Sequence, residues 1–298
     1  MVRIPVVFAF DNNLATQAAI CFKSLLECAQ ADTFYEIIVL YCDLNEKNQQ
    51  SISQLTQAYS QFSLQFIDCR HLFAGGFETR GITSSTYLRL WIPELLKPRS
   101  RVLYCDVDII FRTDLTELFN WDIGDACFAG VKSPPQRQAY AKQQGWGENY
   151  INAGVLIMQL DSITTGDINQ ACQLAKNNQF KYQDQDIINS VFADKIYSGI
   201  PPVYNFSPNA YRQQIKNRFL KGKANQNLNT SAIKIIHYIG IKPWQKNVYL
   251  GEYWWKTYLD SFWYDDDFYQ KYCFDLQQTP SLKKASRSFL KALFGVRY

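Results

Sequence analysis

Apolar runs of strand length recur along the first half of the chain: IPVVFAF (4–10), EIIVLYC (36–42), LQFIDC (64–69) and RVLYCD (101–106). Between them the apolar spacing changes to that of a helix, in ATQAAICFKSLLECAQ (15–30), EKNQQSISQLTQAYS (46–60) and SSTYLRLWIPELL (84–96). Strands alternating with helices predict an α/β architecture, a mostly parallel sheet with helices on both faces, and such sheets bind ligands beyond the carboxyl ends of their strands. That rule singles out Asp11, Asp68 and the pair Asp106 and Asp108, each closing a strand.

After residue 120 the pattern loosens. FAGVKSPPQRQAYAKQQGWGENY (128–150) is polar, aromatic and marked by Gly and Pro, which predicts an insertion or lid rather than a sheet element. A strand follows at INAGVLIMQL (151–160), then a helix to residue 178 and the start of another at YQDQDIINSVF (182–192). From residue 245 the chain turns aromatic, in YLGEYWWKTYLDSFWYDDDFYQKYCF (249–274), and the tail LKKASRSFLKALFGVRY (282–298) carries Lys283, Lys284, Arg287, Lys291 and Arg297 with no acid. That tail reads either as a basic amphipathic segment for a membrane surface or as an ordinary helix packed on its own domain.

Composition narrows the class. With 298 residues, 47% of them hydrophobic, the chain can bury one large core or a main domain with a smaller appendage. A net charge of +4 is too small for nucleic-acid binding across the surface. Eight scattered cysteines without a C-x-x-C pair predict buried thiols in a reducing compartment. The N-terminal apolar patch is too short for a signal peptide and predicts the first strand of a cytosolic protein. No window holds the roughly 18–20 apolar residues that a spanning helix needs.

RVLYCDVDIIF (101–111) sets two acids inside an apolar run, against the desolvation cost of burying a carboxylate. On an extended backbone residues i and i+2 share a side, so Asp106 and Asp108 present two carboxylates to one point while Val107 faces the core. Such charges repel unless a cation lies between them, and paired carboxylates suit Mg²⁺ or Mn²⁺ completed by phosphate oxygens and water. Of the two histidines in the chain, His237 opens HYIGIKPW (237–244) directly behind the apolar run AIKII (232–236). An imidazole as third ligand shifts the preference toward Mn²⁺. Gly240 lets a backbone amide approach an anion, and Lys242 offers a point charge for phosphate.

Taken together these motifs resemble the family 8 glycosyltransferases, which have the GT-A nucleotide-sugar-binding fold, and within that family the lipopolysaccharide galactosyl- and glucosyltransferases of Gram-negative bacteria. The similarity runs in order through VFAFDNN (7–13), STYLRLWIPELL (85–96), RVLYCDVDIIF (101–111), YINAGVLIMQL (150–160), YQDQDIIN (182–189) and HYIGIKPW (237–244). YWWKTYLDSFW (253–263) resembles the C-terminal extension of the lipopolysaccharide enzymes. The resemblance implies that Asp106, Asp108 and His237 hold Mn²⁺, or Mg²⁺, against the diphosphate of a UDP-sugar. It implies that Ala9, Asp11 and Asn13 grip uracil and ribose and that Val107 belongs to the same donor-binding run. Arg89 would contact the donor sugar and the neighbouring acids, with Asn152 and Ala153 also touching the donor. Asp184 and Gln185 would stand beside the transferred hexose, with Asp186 the next carboxylate, and Gly240 and Lys242 would bind the diphosphate. One feature departs from the family: a single residue, Ile241, separates Gly240 from Lys242 where two are usual.

The resemblance also implies retention of anomeric configuration. The residue matching the position beneath the anomeric carbon is Gln185, an amide and a poor nucleophile, which favours attack from the leaving-group face over a two-step route. Tyr140, Trp146 and Tyr150 offer ring faces as a cover and acceptor platform. The expected acceptor is a glycan or lipid-linked oligosaccharide, in lipopolysaccharide or another cell-surface glycan. The expected organisation is a catalytic domain at 1–245 and an extension at 246–298. The protein would be cytoplasmic, peripheral on the inner membrane through 282–298. A nucleotidyltransferase would need a Gly-rich basic loop after the first strand, and AFDNNLATQ has neither glycine nor base. A nucleotide-sugar-binding protein without turnover stays open on the shortened lysine loop. Galactose and glucose, which differ at one hydroxyl, are not distinguished by the sequence.

Overall fold

The structure is a computed structural model and describes residues 1–73, 84–177, 180–220 and 229–278. Nine strands form in it: β1 (Val2–Ala9), β2 (Thr33–Tyr41), β3 (Phe62–Asp68), β4 (Arg101–Cys105), β5 (Ile109–Phe111), β6 (Phe128–Lys132), β7 (Ile151–Gln159), β8 (Ile196–Ile200) and β9 (Ile235–His237). Seven make one sheet in the order β3-β2-β1-β4-β7-β6-β8. It is parallel except at β7, which runs antiparallel to β4 and β6. The other two, β5 and β9, pair antiparallel, with Ile109 opposite His237.

Alternation along each strand divides the core between the two faces of the sheet. Ile4, Val6 and Phe8 of β1 and Ile37 and Val39 of β2 pack with Ala18, Phe22 and Leu25 of the helix Ala15–Glu27. Val7, Ile38, Leu40 and Tyr104 point the other way, against Leu88, Ile187 and Ile188. The aromatic stretch covers the molecule's own core: Trp254, Trp255 and Tyr258 are buried against Ile20, Ile110 and Ile236 in a third cluster. None of the eight cysteines forms a disulfide. No helix among the described residues is long and apolar enough to cross a membrane. The basic tail 282–298 lies outside the described residues.

Three expectations are corrected. Residues 128–132, assigned from their polar, Pro-rich surroundings to a lid, are β6, with Phe128, Ala129 and Val131 buried between β7 and β8. Only 135–143 of that stretch form a helix, and Tyr150 is buried rather than a surface platform. The segment 84–96 is a 3₁₀ helix over Ser84–Trp91 followed by one α turn, Ile92–Leu95. Pro93 explains the break, because it lacks the amide that an α-helix would need there and restricts the residue before it.

Candidate active site

The carboxyl ends of β1 and β4 and the start of β7 open onto a cleft of about 460 Å³. Ala9, Asp11, Arg89, Asp106, Val107, Asp108, Asn152, Ala153, Asp184, Gln185, His237, Gly240 and Lys242 all line it. Asn13 and Asp186 do not. Asn13 is exposed, and its backbone N–H donates to the Asp11 carboxylate at 3.0 Å, capping a short 3₁₀ turn. Asp68 ends the edge strand β3 and pairs with Arg70, away from the cleft.

The chain bends rather than extends between β4 and β5, and the bend is stitched on both sides. Asp106 N–H donates to the Gly154 carbonyl at 2.8 Å, and Tyr238 N–H donates to the Asp108 carbonyl at 2.9 Å. These bonds aim both carboxylates at His237, whose Nε2 lies 3.1 Å from Asp108 Oδ1 and 3.5 Å from Asp106 Oδ2. One ligand atom from each residue lies within 4.8 Å of the others. Burial acts to raise the Asp108 carboxyl, but the His237 ring and the Lys242 ammonium outweigh it and hold the group well below the usual carboxylate range. Two carboxylates and an imidazole converging this closely are reconciled by a cation, and hard oxygen donors with one nitrogen suit a divalent ion such as Mn²⁺. Lys242 supplies part of that charge here: its ammonium pairs with Asp108 and donates to the Tyr238 carbonyl at 2.9 Å. The turn that delivers it needs Gly240, whose φ of +85° lies in the left-handed region.

Arg89 ties the two ends of the cleft together. Its guanidinium is buried 3.0 Å from Asp106 and 3.0 Å from Asp184, donates to the Ala153 carbonyl at 2.7 Å and lies 4.4 Å above the Tyr104 ring. Burial pushes the Asp184 carboxyl up to about 6, against the lowering effect of Arg89. Beside it the Gln185 amide oxygen accepts from Asn152 Nδ2 at 2.9 Å and from the Ala153 N–H at 3.2 Å. Asp186 points out of the cleft and is fully buried, accepting from the Tyr140 and Tyr150 hydroxyls and from the Tyr182 N–H.

Two residues went unnoticed in the sequence. Gly154 lies so close to the centre that a Cβ there would sit 2.1 Å from His237 Cε1 and 2.6 Å from Asp106 Oδ2. A glycine inside a strand is a signal for such an approach, and INAGVL carries it. Asn205, whose side-chain oxygen is 2.8 Å from His237 Nδ1, has no pattern around it that marks it.

Residues 5–248 match Glycosyl transferase family 8. The chain belongs to that family. It is 29% identical over 280 residues to a protein of Haemophilus influenzae, covering 87% of this chain and 82% of that one. With the lipopolysaccharide 1,2-glucosyltransferase of Escherichia coli it shares 31% over 195 residues, 60% of this chain and 55% of that one. Among solved structures it superimposes on the galactosyltransferase LgtC in complex with donor and acceptor sugar analogs with a TM-score of 0.69 at 23% identity, over 90% of this chain and 100% of that one. The fold is therefore GT-A, and the family 8 chain is related to lipopolysaccharide transferases. Enzymes of this family in general take a nucleotide-sugar donor and a divalent metal.

Proposed function

We propose that this family 8 protein is a retaining hexosyltransferase that moves galactose or glucose from a UDP-sugar to a glycan, in lipopolysaccharide or another cell-surface glycan. The observation that carries this reading is the composition of the cleft. A carboxylate–carboxylate–imidazole cluster with Lys242 beside it stands at one end, and Asp184 and Gln185 stand at the other, joined through Arg89. Asp106, Asp108 and His237 would hold Mn²⁺, which supplies positive charge to the diphosphate as its bond to the sugar breaks. Lys242 would move from Asp108 to the phosphate oxygens and stabilise the same developing charge. Asp11, buried at the end of β1, would accept from the imide N–H of uracil.

Gln185 is an amide whose oxygen is already engaged twice, so the transfer runs on the leaving-group face. The acceptor oxygen bonds to the anomeric carbon as the bond from that carbon to the phosphate oxygen breaks, and the acceptor's proton passes to the departing phosphate. Asp184, buried beside Arg89, stabilises positive charge on the hexose. Residues 1–245 form the catalytic domain. The tail 282–298 would hold the protein peripherally on the cytoplasmic face of the inner membrane.

The test is donor consumption from UDP-galactose, UDP-glucose, UDP-N-acetylglucosamine and UDP-N-acetylgalactosamine, with Mn²⁺ or EDTA, by the parent and Asp108→Asn. Mn²⁺-dependent use of one hexose donor, abolished in the variant, is the expected result. Binding of UDP and Mn²⁺ with no hydrolysis, and no transfer to a panel of glycan acceptors, would instead establish a binding protein. The pairing of Lys242 with Asp108 is the observation that favours that second reading.

A further inference from the structure

A line of hydrogen bonds crosses the floor of the cleft from the cluster of acids to Asp186, and it runs in one direction. His237 Nδ1 meets Asn205 Oδ1 at 2.8 Å. Asn205 Nδ2 donates to Asn152 Oδ1 at 2.7 Å, Asn152 Nδ2 to Gln185 Oε1 at 2.9 Å and Gln185 Nε2 to the Tyr150 hydroxyl at 2.9 Å. The Tyr150 hydroxyl donates to Asp186, whose other oxygen accepts from the Tyr182 N–H at 2.8 Å and the Tyr140 hydroxyl at 3.0 Å.

Groups that have no choice fix the direction. The Gly154 N–H reaches Asn152 Oδ1 at 3.0 Å and the Ala153 N–H reaches Gln185 Oε1 at 3.2 Å. A backbone amide only donates, so these two contacts settle which end of each side-chain amide is oxygen. Asn152 Oδ1 can then take only a donor from Asn205, which turns the Asn205 oxygen toward His237. At the far end a carboxylate only accepts, so Tyr150 must give its proton to Asp186 and receive from Gln185. His237 Nδ1 therefore carries the hydrogen, which leaves Nε2, the nitrogen that faces Asp106 and Asp108, as the atom that can give its lone pair to a cation.

We propose that Asn205 is the positioning residue for His237, holding the imidazole in the Nδ1–H tautomer that a metal at Nε2 requires, and that through Asn152 it locks Gln185 in the same frame. The proposal rests on reading Asp106, Asp108 and His237 as a divalent-cation site. Partners of this kind beyond the ligands typically govern about 10–100-fold of metal affinity. In Asn205→Asp an oxygen still faces Nδ1–H, but the donor to Asn152 is gone; in Asn205→Ala both are lost.

The experiment is Mn²⁺ titration of the full-length protein, followed by the electron paramagnetic resonance of free Mn²⁺, on the parent, Asn205→Ala and Asn205→Asp, with thermal melting as the fold control and transfer rate as a second readout. Expected are Mn²⁺ binding about 10–100-fold weaker in Asn205→Ala, binding near the parent's in Asn205→Asp, and slowed transfer in both. Equal binding by parent and Asn205→Ala overturns the proposal. So does equal loss in both variants, which would mean that the Asn205 nitrogen faces the ring. A parent that binds no Mn²⁺ overturns the cation-site reading and the proposal with it. Because the chain has two histidines, ¹⁵N-histidine spectra of the metal-free protein give a direct check. They should show one ring with a fixed hydrogen on Nδ1 in the parent and that hydrogen released in Asn205→Ala, and a His237 ring without a hydrogen on Nδ1 refutes the mechanism.

Discussion

Substituting Gly154 by alanine adds one methyl group at the most crowded point of the cleft. The new Cβ would lie 2.1 Å from His237 Cε1 and 2.9 Å from Nδ1, whereas ordinary contact begins near 3.4 Å, so ring or strand must retreat by more than an ångström. Neither is free to do so. β7 is paired on both sides, by β4 and β6, and His237 is held by its pairing with Ile109, by the Phe206 carbonyl 2.8 Å from its N–H and by Asn205. Overpacking of this kind costs about 1–3 kcal/mol, and for a chain of this size each kcal/mol lowers the melting temperature by roughly 2–4 °C. The functional cost is larger: ligand distances tolerate about 0.2 Å, and an ångström of misplacement is worth about 100-fold in rate. Mn²⁺ titration and donor turnover of Gly154→Ala, beside Gly166→Ala, make the assay. Gly166, in the first turn of the helix Thr165–Asn177, has only Thr164 Oγ1 near its Cβ position, at 3.5 Å, so its variant should bind and turn over like the parent. If Gly154→Ala keeps the parent's Mn²⁺ affinity and turns over within twofold of it, the reasoning is wrong.

Arg89→Met should destabilise by about 3–5 kcal/mol, because Asp106 and Asp184 lose their shared buried partner, and Arg89→Lys should melt nearer to it than to the parent, since one ammonium cannot make the guanidinium's separate contacts; a lysine variant as stable as the parent refutes the argument. Asp114 gives a pH dependence with a definite sign. Burial raises its carboxyl, but bonds from Thr116, the Gln30 N–H and the Tyr35 hydroxyl win and hold it below the usual 3.8. Its contribution is therefore complete above the unfolded value of about 3.9 and is lost as pH falls through the folded one. Urea unfolding at pH 7 and pH 3 should show a smaller acid loss in Asp114→Asn, and an unchanged loss would exclude Asp114 as its source.

The parallel half of the sheet was legible because β1, β2, β3 and the five-residue β4 are apolar runs bounded by helix-period segments. Escaping notice were β6 and β8, five residues each, whose glycines and polar neighbours give too little alternation for a pattern to register. The acids of the cleft were legible for a physical reason, since Asp106 and Asp108 stand where an apolar run should not tolerate them. Asp186 shows what spacing alone misleads about. Asp184 and Asp186 begin the same helix, Gln183–Val191, and at about 100° per residue two positions that are two apart face nearly opposite ways. One carboxylate therefore lies in the cleft with the other beneath it. Arg89 was expected beside the neighbouring acids, and the 3₁₀ segment does turn it inward between Asp106 and Asp184. Asn205 follows a short 3₁₀ turn with no periodicity, and only the assembled fold shows what it touches.

The small two-stranded sheet has a consequence for how the molecule is made. β5 follows directly on Asp106 and Asp108, but its partner β9 emerges from the ribosome only after most of the chain has been synthesised. β1 to β4 hold their pairings within the first part of the sequence and can assemble early, as N-terminal segments do during synthesis. His237 arrives last, and Lys242 with it. A nascent or truncated chain that ends before β9 carries both carboxylates and no imidazole, so the three-residue cluster that could hold a metal is completed in a single late event of biogenesis.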